Sequence, residues 1–434
     1  MYGTLAGVTR TDGQQQPEVA RMSGASAAAK ATGIVAVGMM AMNVLAYVFS
    51  LLSARRLGPD NFGAMSALLG VLIVANVGAL ALQATAARRL ATVTPGHRDA
   101  VSRDIIRNGW RVALGLGVAL LLAAPLLSRF LHLDNLAVAC SPAAAMVPLT
   151  LMGAYGGVLQ GERRWTSLAV VYATMGGGRI VAGGGALLIE PSLGSAMLGI
   201  TIGAVVPAVV GAGYCRAMTL DQPTPADHEP VLRELWTNGH ALLAFFAFTN
   251  LDVLLARHLF DDSDAGVYAA GAILAKACLF LPTFVLVVAF PTMAAQRHGR
   301  PWRLPLLAVA GLGLVAVAGA AVLPDLAVQF AGGREYADLA KVAWLFALEG
   351  TVFACLQILV YDSIAGQQHA SLLLWVGGLT VLGAGLLTVD SVLALVACAA
   401  AVGLLMCLGR VIQLGIDQRS RDPQASQPDG RDTR

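Results

Sequence analysis

Charge is what this chain has least of. Only 13% of its 434 residues are Asp, Glu, Lys or Arg, against about a quarter in a soluble domain. Lysine is almost absent. Lys30, Lys276 and Lys341 are the three lysines among 29 cationic residues, and a bias that strong, beside abundant Ala, Gly and Val, reflects a GC-rich genome. The six cysteines (Cys140, Cys215, Cys278, Cys355, Cys398, Cys407) all fall in apolar stretches without CxxC or metal-ligand spacing. They read as packing residues, and no metal or other cofactor is expected. Long polar segments are missing too: no gap between apolar stretches exceeds about twenty residues, less than one membrane span's worth of chain. That leaves no space for a catalytic domain outside the membrane. The first thirty-odd residues lack the apolar core of a signal peptide, and Met22 competes with Met1 as the start of translation.

What fills the sequence is apolar: 57% of residues, with a mean hydropathy of +0.69. At about 20 apolar residues per bilayer crossing the length accommodates roughly a dozen spans. Stretches bounded by charge, Pro or Gly fall at 32–54, 62–87, 110–130, 136–160, 165–189, 194–216, 235–257, 266–295, 303–323, 337–365, 370–389 and 391–413. None alternates as a strand would, and apolar runs of this length satisfy their backbone as helices. The expected fold class is an all-α polytopic membrane protein with twelve transmembrane helices.

The cations orient it. With the N-terminal tail inside, the two tails and the even-numbered connections hold 21 Lys and Arg. The odd-numbered connections hold six: Arg55, Arg56, Arg129, Arg257, Arg334 and Lys341. Positive charge marks the cytoplasmic side, so both termini are expected in the cytoplasm. Trp110, Trp165, Trp236, Trp302 and Trp375 each open an odd-numbered span, forming one belt at the cytoplasmic headgroup level, where the amphipathic indole prefers to sit.

The longest polar connection, residues 219–233, divides the chain into six-span lobes at 32–218 and 234–413, with disordered cytoplasmic tails at 1–31 and 414–434. Each lobe opens with a similar phrase: Ala54-Arg55-Arg56-Leu57 followed by Gly63, and Ala256-Arg257-His258-Leu259 followed by Gly266. An even number of spans separates the copies, which gives them the same orientation. This is the signature of a parallel repeat, a symmetry on which transporters are built around a midplane site.

The run from Ser53 to Ala91 resembles the first helix pair of Wzx-type oligosaccharide flippases, a family in the superfamily that also holds the MATE drug exporters and the lipid II flippases. The phrase Ala54-Arg55-Arg56-Leu57-Gly58-Pro59, then Phe62-Gly63, is similar to that family's ARxLGPxxFG opening. Asp252, then Gly266-Val267-Tyr268-Ala269-Ala270 and Phe290-Pro291, resembles its D...GxYxAA...FP pattern, and Arg179 followed by Gly194-Ser195-Ala196 is similar to its fifth and sixth helices. The resemblance covers residues 32–413. It implies a MATE-like pair of lobes around a central cavity lined by spans one, two, seven and eight.

Ionisable groups inside the bilayer are functional hypotheses by default, since each costs about 2.5 to 3.5 kcal/mol to insert. Arg179 and Lys276 both fall near the midplane of their spans, by the 1.5 Å rise per residue. A lipid diphosphate needs fixed cations to cross hydrocarbon, and Arg suits it as a planar fork and Lys as a point charge. An ion pair stapling helices is the plainer reading. The acids Asp252 and Glu349 could balance these cations or take up a proton or sodium ion in transport coupling; Asp362 stands at the cytoplasmic margin. Asn43, with Tyr47 and Ser50, and Asn76 with Gln83 share helix faces, and the resemblance implies that they line the cavity, with interhelical hydrogen bonds as the alternative. Arg55 and Arg56 lie at its outer rim, either meeting the dipole of span one or capturing phosphate on exit. The triplets 176–178 and 183–185 of glycine predict close helix packing, and Pro142, Pro148, Pro282 and Pro291 predict bends.

The leading expectation is alternating-access flipping of a polyprenyl-diphosphate-linked oligosaccharide across the bacterial cytoplasmic membrane. Its partners would be that lipid, membrane lipids, and glycosyltransferases or a polymerase of the same envelope pathway, with no nucleic acid. A cation-coupled MATE-like exporter of drugs or metabolites is the alternative, although it would favour acids and aromatics over cations in the cavity. An envelope-glycan enzyme or scaffold is a lesser one, because the outer loops are short. A facilitator of the major superfamily is excluded by ATVTPGHRDAVSRD between spans two and three.

Overall fold

The computed structural model describes residues 15–215, 231–279, 302–365 and 371–421. Within them the regular structure is entirely helical, as backbone that must satisfy itself in hydrocarbon requires. α1 (Gln15–Ala75) carries the first expected stretch and the opening of the second, and bends between them at Gly58, whose φ of 68° is open to glycine and which is followed by Pro59. Asn76 separates it from α2 (Val77–Thr92). There follow α3 (Arg98–Phe130), α4 (Leu136–Gly161) and α5 (Trp165–Gly178). A π-helical turn (Arg179–Gly184) leads into α6 (Gly185–Ile189) and α7 (Leu193–Cys215).

The second half begins with α8 (Val231–Leu259) and α9 (Asp262–Leu279). It continues with α10 (Arg303–Val322), a short α11 (Pro324–Ala331), a 3-10 turn at Arg334–Lys341, then α12 (Ala343–Ala365), α13 (Ser371–Thr388) and α14 (Val392–Arg421). Among the described residues eight helical segments are long and apolar enough to cross a bilayer, with Gly33–Thr92 counted once. The expected bends at Pro282 and Pro291, the Phe290-Pro291 pair, most of the 219–233 connection, residues 1–14 and 422–434 of the end tails and the side chains of Asp362 and Trp236 lie outside the described residues. Residues 15–31 and 414–421, expected as disordered tail, instead continue the helices α1 and α14. Pro142 and Pro148 sit inside an unbroken α4.

One packing scheme occurs twice. In the first half α3 packs on α4, α4 on α2 and α7, and α1 on α5. In the second α10 packs on α12, α12 on α9 and α14, and α8 on α13. Every pairing thus has a counterpart, and α3 and α10, the matching members, are the least buried of the apolar helices. α1 and α2 join the halves by packing on α8 and α9. Glycine sets the closest crossings. Gly178 and Gly183, on either side of Arg179, face Gly203 and Gly199 of α7, where a Cβ would fall within contact distance of the opposing backbone. Gly176 packs against Met42 and Leu45, whereas Gly177 and Gly185 face open space. Such small-residue crossings hold membrane helices together, because lipid supplies no hydrophobic drive between them.

The tryptophan belt is less uniform than the sequence implies. Trp110 and Trp375 are exposed, but Trp302 is 7% exposed and lies beneath the guanidinium of Arg303, 5.6 Å from the ring centroid. Arg257, counted as a loop cation, is also buried at the end of α8.

Candidate functional site

Where α1, α5, α8 and α9 meet, they leave a central cavity of about 210 Å³. Arg179 reaches it from the start of the π turn in the first half and Lys276 from α9 in the second. Tyr47, Ser50, Ser66 and Asn76 add neutral polar groups, and most of the remaining wall is apolar, including Phe62, Leu149 and Phe246. Arg179 and Lys276 are within electrostatic range of one another. Two cations at one wall repel, so the arrangement is relieved by an anion between them. A guanidinium and an ammonium offer donors to phosphate oxygens and no acceptor to a cationic ligand.

Lys276 also borders a second, smaller space. This chamber, about 10 Å³, is near the minimum that holds a single water. Thr249 and Asp252 of α8 and Glu349 of α12 line it with Lys276. Asp252 accepts a hydrogen bond from the Tyr268 hydroxyl at 3.0 Å, but its other oxygen has no hydrogen-bond partner among the described residues. Glu349 is 0% exposed, and both its oxygens lack such a partner. Thr249 turns away, donating to the carbonyl of Phe245 at 3.0 Å. Lys276 is therefore the charged member shared by a cavity suited to anions and a chamber holding two acids.

Other sequence candidates fall elsewhere. Gln83 is not on the cavity wall. It is buried, and its amide donates to Gln160 Oε1 at 3.1 Å and to the Tyr172 hydroxyl at 2.7 Å, tying α2 to α4 and α5. Asn43 shares its helix with Tyr47 and Ser50 but does not reach the wall they line. Asn76 does, at the break between α1 and α2, with its side-chain oxygen unpartnered among the described residues. Arg56 is exposed, and Arg55 donates to the carbonyl of Gln329 at 3.0 Å. Phe62 and Tyr268 stand in the sequence only as letters of the family's patterns, and Ser66 in no motif at all. Nothing in their spacing marked them as wall or chamber residues.

The sequence profile of the family described as "Polysaccharide biosynthesis protein" matches residues 28–296, well over half the chain and the whole of the region that builds the cavity. The chain belongs to this family. The Wzx-type resemblance of its opening helices is thereby shown. As a polysaccharide biosynthesis protein it also shares the fold of solved transporters. An inward-facing multidrug resistance MATE family transporter of the MOP superfamily is 13% identical, with 90% of this chain and 100% of that one covered and a TM-score of 0.68. The lipid II flippase MurJ, in its inward closed conformation, is 10% identical, with 87% of each chain covered and a TM-score of 0.68. A MOP superfamily transporter from Pyrococcus furiosus, whose reversed binding-pocket polarity suggests a different function, is 13% identical over 90% of this chain and 95% of its own, with a TM-score of 0.58. At such identities the likeness is one of fold. No curated protein sequence matches the chain.

Proposed function

We propose that this protein flips a polyprenyl-diphosphate-linked oligosaccharide from the inner to the outer leaflet of the bacterial cytoplasmic membrane by alternating access. The reading includes twelve spans, lobes at 32–218 and 234–413, and both termini in the cytoplasm. One observation carries it: Arg179 and Lys276, from opposite halves of the chain, meet on the wall of the same central cavity. A diphosphate brings at least two negative charges to such a pair, and the apolar wall beside it suits the first units of the lipid. Glycan hydroxyls would find Tyr47, Ser50, Ser66 and Asn76. Asp252 and Glu349 balance Lys276 when the cavity is empty and are the groups through which transport would couple to an ion. The family's place in polysaccharide biosynthesis supports this cargo over a drug, and two cations in the cavity disfavour the cationic cargo of a typical exporter.

The test is Arg179→Gln with Lys276→Gln, followed by measurement of glycolipid display on the outer leaflet at matched expression. Display should fall at least about tenfold, as expected when two charge-assisted contacts to phosphate are lost. Undiminished display in the double variant removes the cationic cavity from the mechanism.

A further inference from the structure

At the end of the bundle where α1 bends and α8 gives way to α9, side-chain hydrogen bonds tie the halves together. Each half holds the other there. From the second half, the buried Arg257 donates to the carbonyl of Leu131 at 2.9 Å and of His132 at 3.3 Å, in the turn that ends α3, and pairs with Asp262. From the first half, Arg55 donates to the carbonyl of Gln329 at 3.0 Å, in the short α11 that follows α10. α10 is the packing counterpart of α3, and Arg55 and Arg257 hold the same place in the repeated Ala-Arg-x-Leu phrase. The same bond is thus made twice, in opposite directions.

Between the arms the chains touch at glycine. A Cβ on Gly63 would lie 3.0 Å from the backbone of Ala265 and Gly266, and one on Gly266 would run into Pro59. The arms are unequal. Arg257 is 5% exposed and has three acceptors, while Arg55 is exposed with one among the described residues. The stronger arm is backed by His258, whose ring stacks on Phe130 at 4.2 Å and on His132 at 5.5 Å. The weaker is backed by Tyr336, whose hydroxyl donates to the carbonyl of Ala54 at 2.8 Å. Burial pushes that hydroxyl above its usual range, so it remains a donor. The Tyr336 ring meets Phe62 edge-on at 6.2 Å, and Phe62 is the cavity wall at this end.

We propose that Arg257 and Arg55 form a reciprocal latch that keeps the central cavity shut at this end, with the Arg257 arm dominant. The latch deepens the transport reading and rests on it: the cavity is taken as the path and this end as the outer one. Bonds from guanidinium to backbone carbonyl suit a device that must open repeatedly. On parting, both sides exchange their partner for water, and the fork keeps its charge in either state.

The experiment places a cysteine at the cavity wall, Ser66→Cys, and measures its reaction with a membrane-impermeant maleimide applied outside intact cells. The labelling of the native cysteines is subtracted using the unaltered protein. Reaction should be slow with the latch intact. Arg257→Ala should speed it at least about tenfold, because two carbonyls lose a charged donor in the closed state only. Arg55→Ala should speed it about twofold to threefold. Arg257→Lys, which keeps the charge and loses the fork, and Gly266→Ala, which props the contact apart, should both give intermediate rates and stand in if the alanine variant fails to fold. Equal rates with and without Arg257 overturn the latch. So does a larger rise from Arg55 than from Arg257, or labelling gained only in inverted vesicles. Labelling needs no cargo, so the outcomes separate: if display survives the Arg179 and Lys276 changes while Arg257 still controls labelling, the cargo reading falls and the latch stands.

Discussion

The two halves pack their helices alike and place their buried charges differently. In the first, a neutral network closes on itself, although oxygens of Asn76, Thr85 and Ser102 stay without a hydrogen-bond partner among the described residues. Gln83 bonds to Gln160 and Tyr172, and the hydroxyls of Ser53 and Thr150 donate to carbonyls of their own helices at 2.8 Å. In the second, two acids and one lysine line a chamber with three carboxylate oxygens unpartnered among the described residues. A satisfied neutral network has a single best arrangement and behaves as a fixed part. Charges left short of partners have more than one, and which is best depends on what enters next to them. On the transport reading, the Gln83 network is frame and the Lys276 chamber the responsive part.

The largest effect that bears on this contrast comes from Lys276→Met. Removing the cation within reach of two buried acids should cost about 3 to 5 kcal/mol, as when one partner of a buried charge set is deleted. Adding Asp252→Asn and Glu349→Gln should restore most of the loss, and the coupling is read as a mutant cycle from unfolding in detergent. A variant as stable as the parent means that the acids do not depend on Lys276. Next, Gln83→Leu strands the Gln160 oxygen and the Tyr172 hydroxyl in the frame and should cost about 2 kcal/mol. A third change should carry the opposite sign. Glu349→Gln keeps the shape of an unpartnered acid and removes its charge, so it should raise stability by about 1 kcal/mol while lowering flipping. If Gln83→Leu and Glu349→Gln shift the melting temperature the same way, the contrast between the halves is lost.

The smallest effect lies outside the membrane, in the turn after α4. Burial raises the Glu162 carboxyl above its ordinary value, with Arg164, 3.8 Å away, opposing. A raised acid binds its proton more readily folded than unfolded. Its stabilising contribution is therefore present below the ordinary value of 4.5 and fades as the pH rises through the folded one. Glu162→Gln should flatten the melting-temperature profile over that interval, and an unchanged slope argues against the burial.

The helices were legible in the sequence because runs of about 20 apolar residues have one solution in a bilayer. Arg179 and Lys276 were legible for a related reason: in so few charges, two at mid-span stand out. The facing of neutral residues was not. Gln83 and Asn76 lie seven apart on one helical face, but the break at Asn76 separates them, and Gln83 meets partners on α4 and α5 that no local pattern reveals. Helices apolar on every side carry no stripe to show which face turns inward. Arg257 was hidden differently. Counting charges assigns it to a loop, and the carbonyls that draw it inward exist only because α3 stops at Phe130 and His132 adopts a φ of 50°.

The π turn at Arg179–Gly184 has a consequence for what the gene can tolerate. A π turn carries one residue more than the regular spiral would take. The turn itself takes up that residue, so deleting one residue there would restore the ordinary spiral with the flanking segments facing as before, and Leu187 would keep its wholly buried place in the core. A one-codon loss in the regular part of α5 has no such slack and would turn everything beyond it by roughly 100°. In this helix the number of residues matters more before the turn than within it.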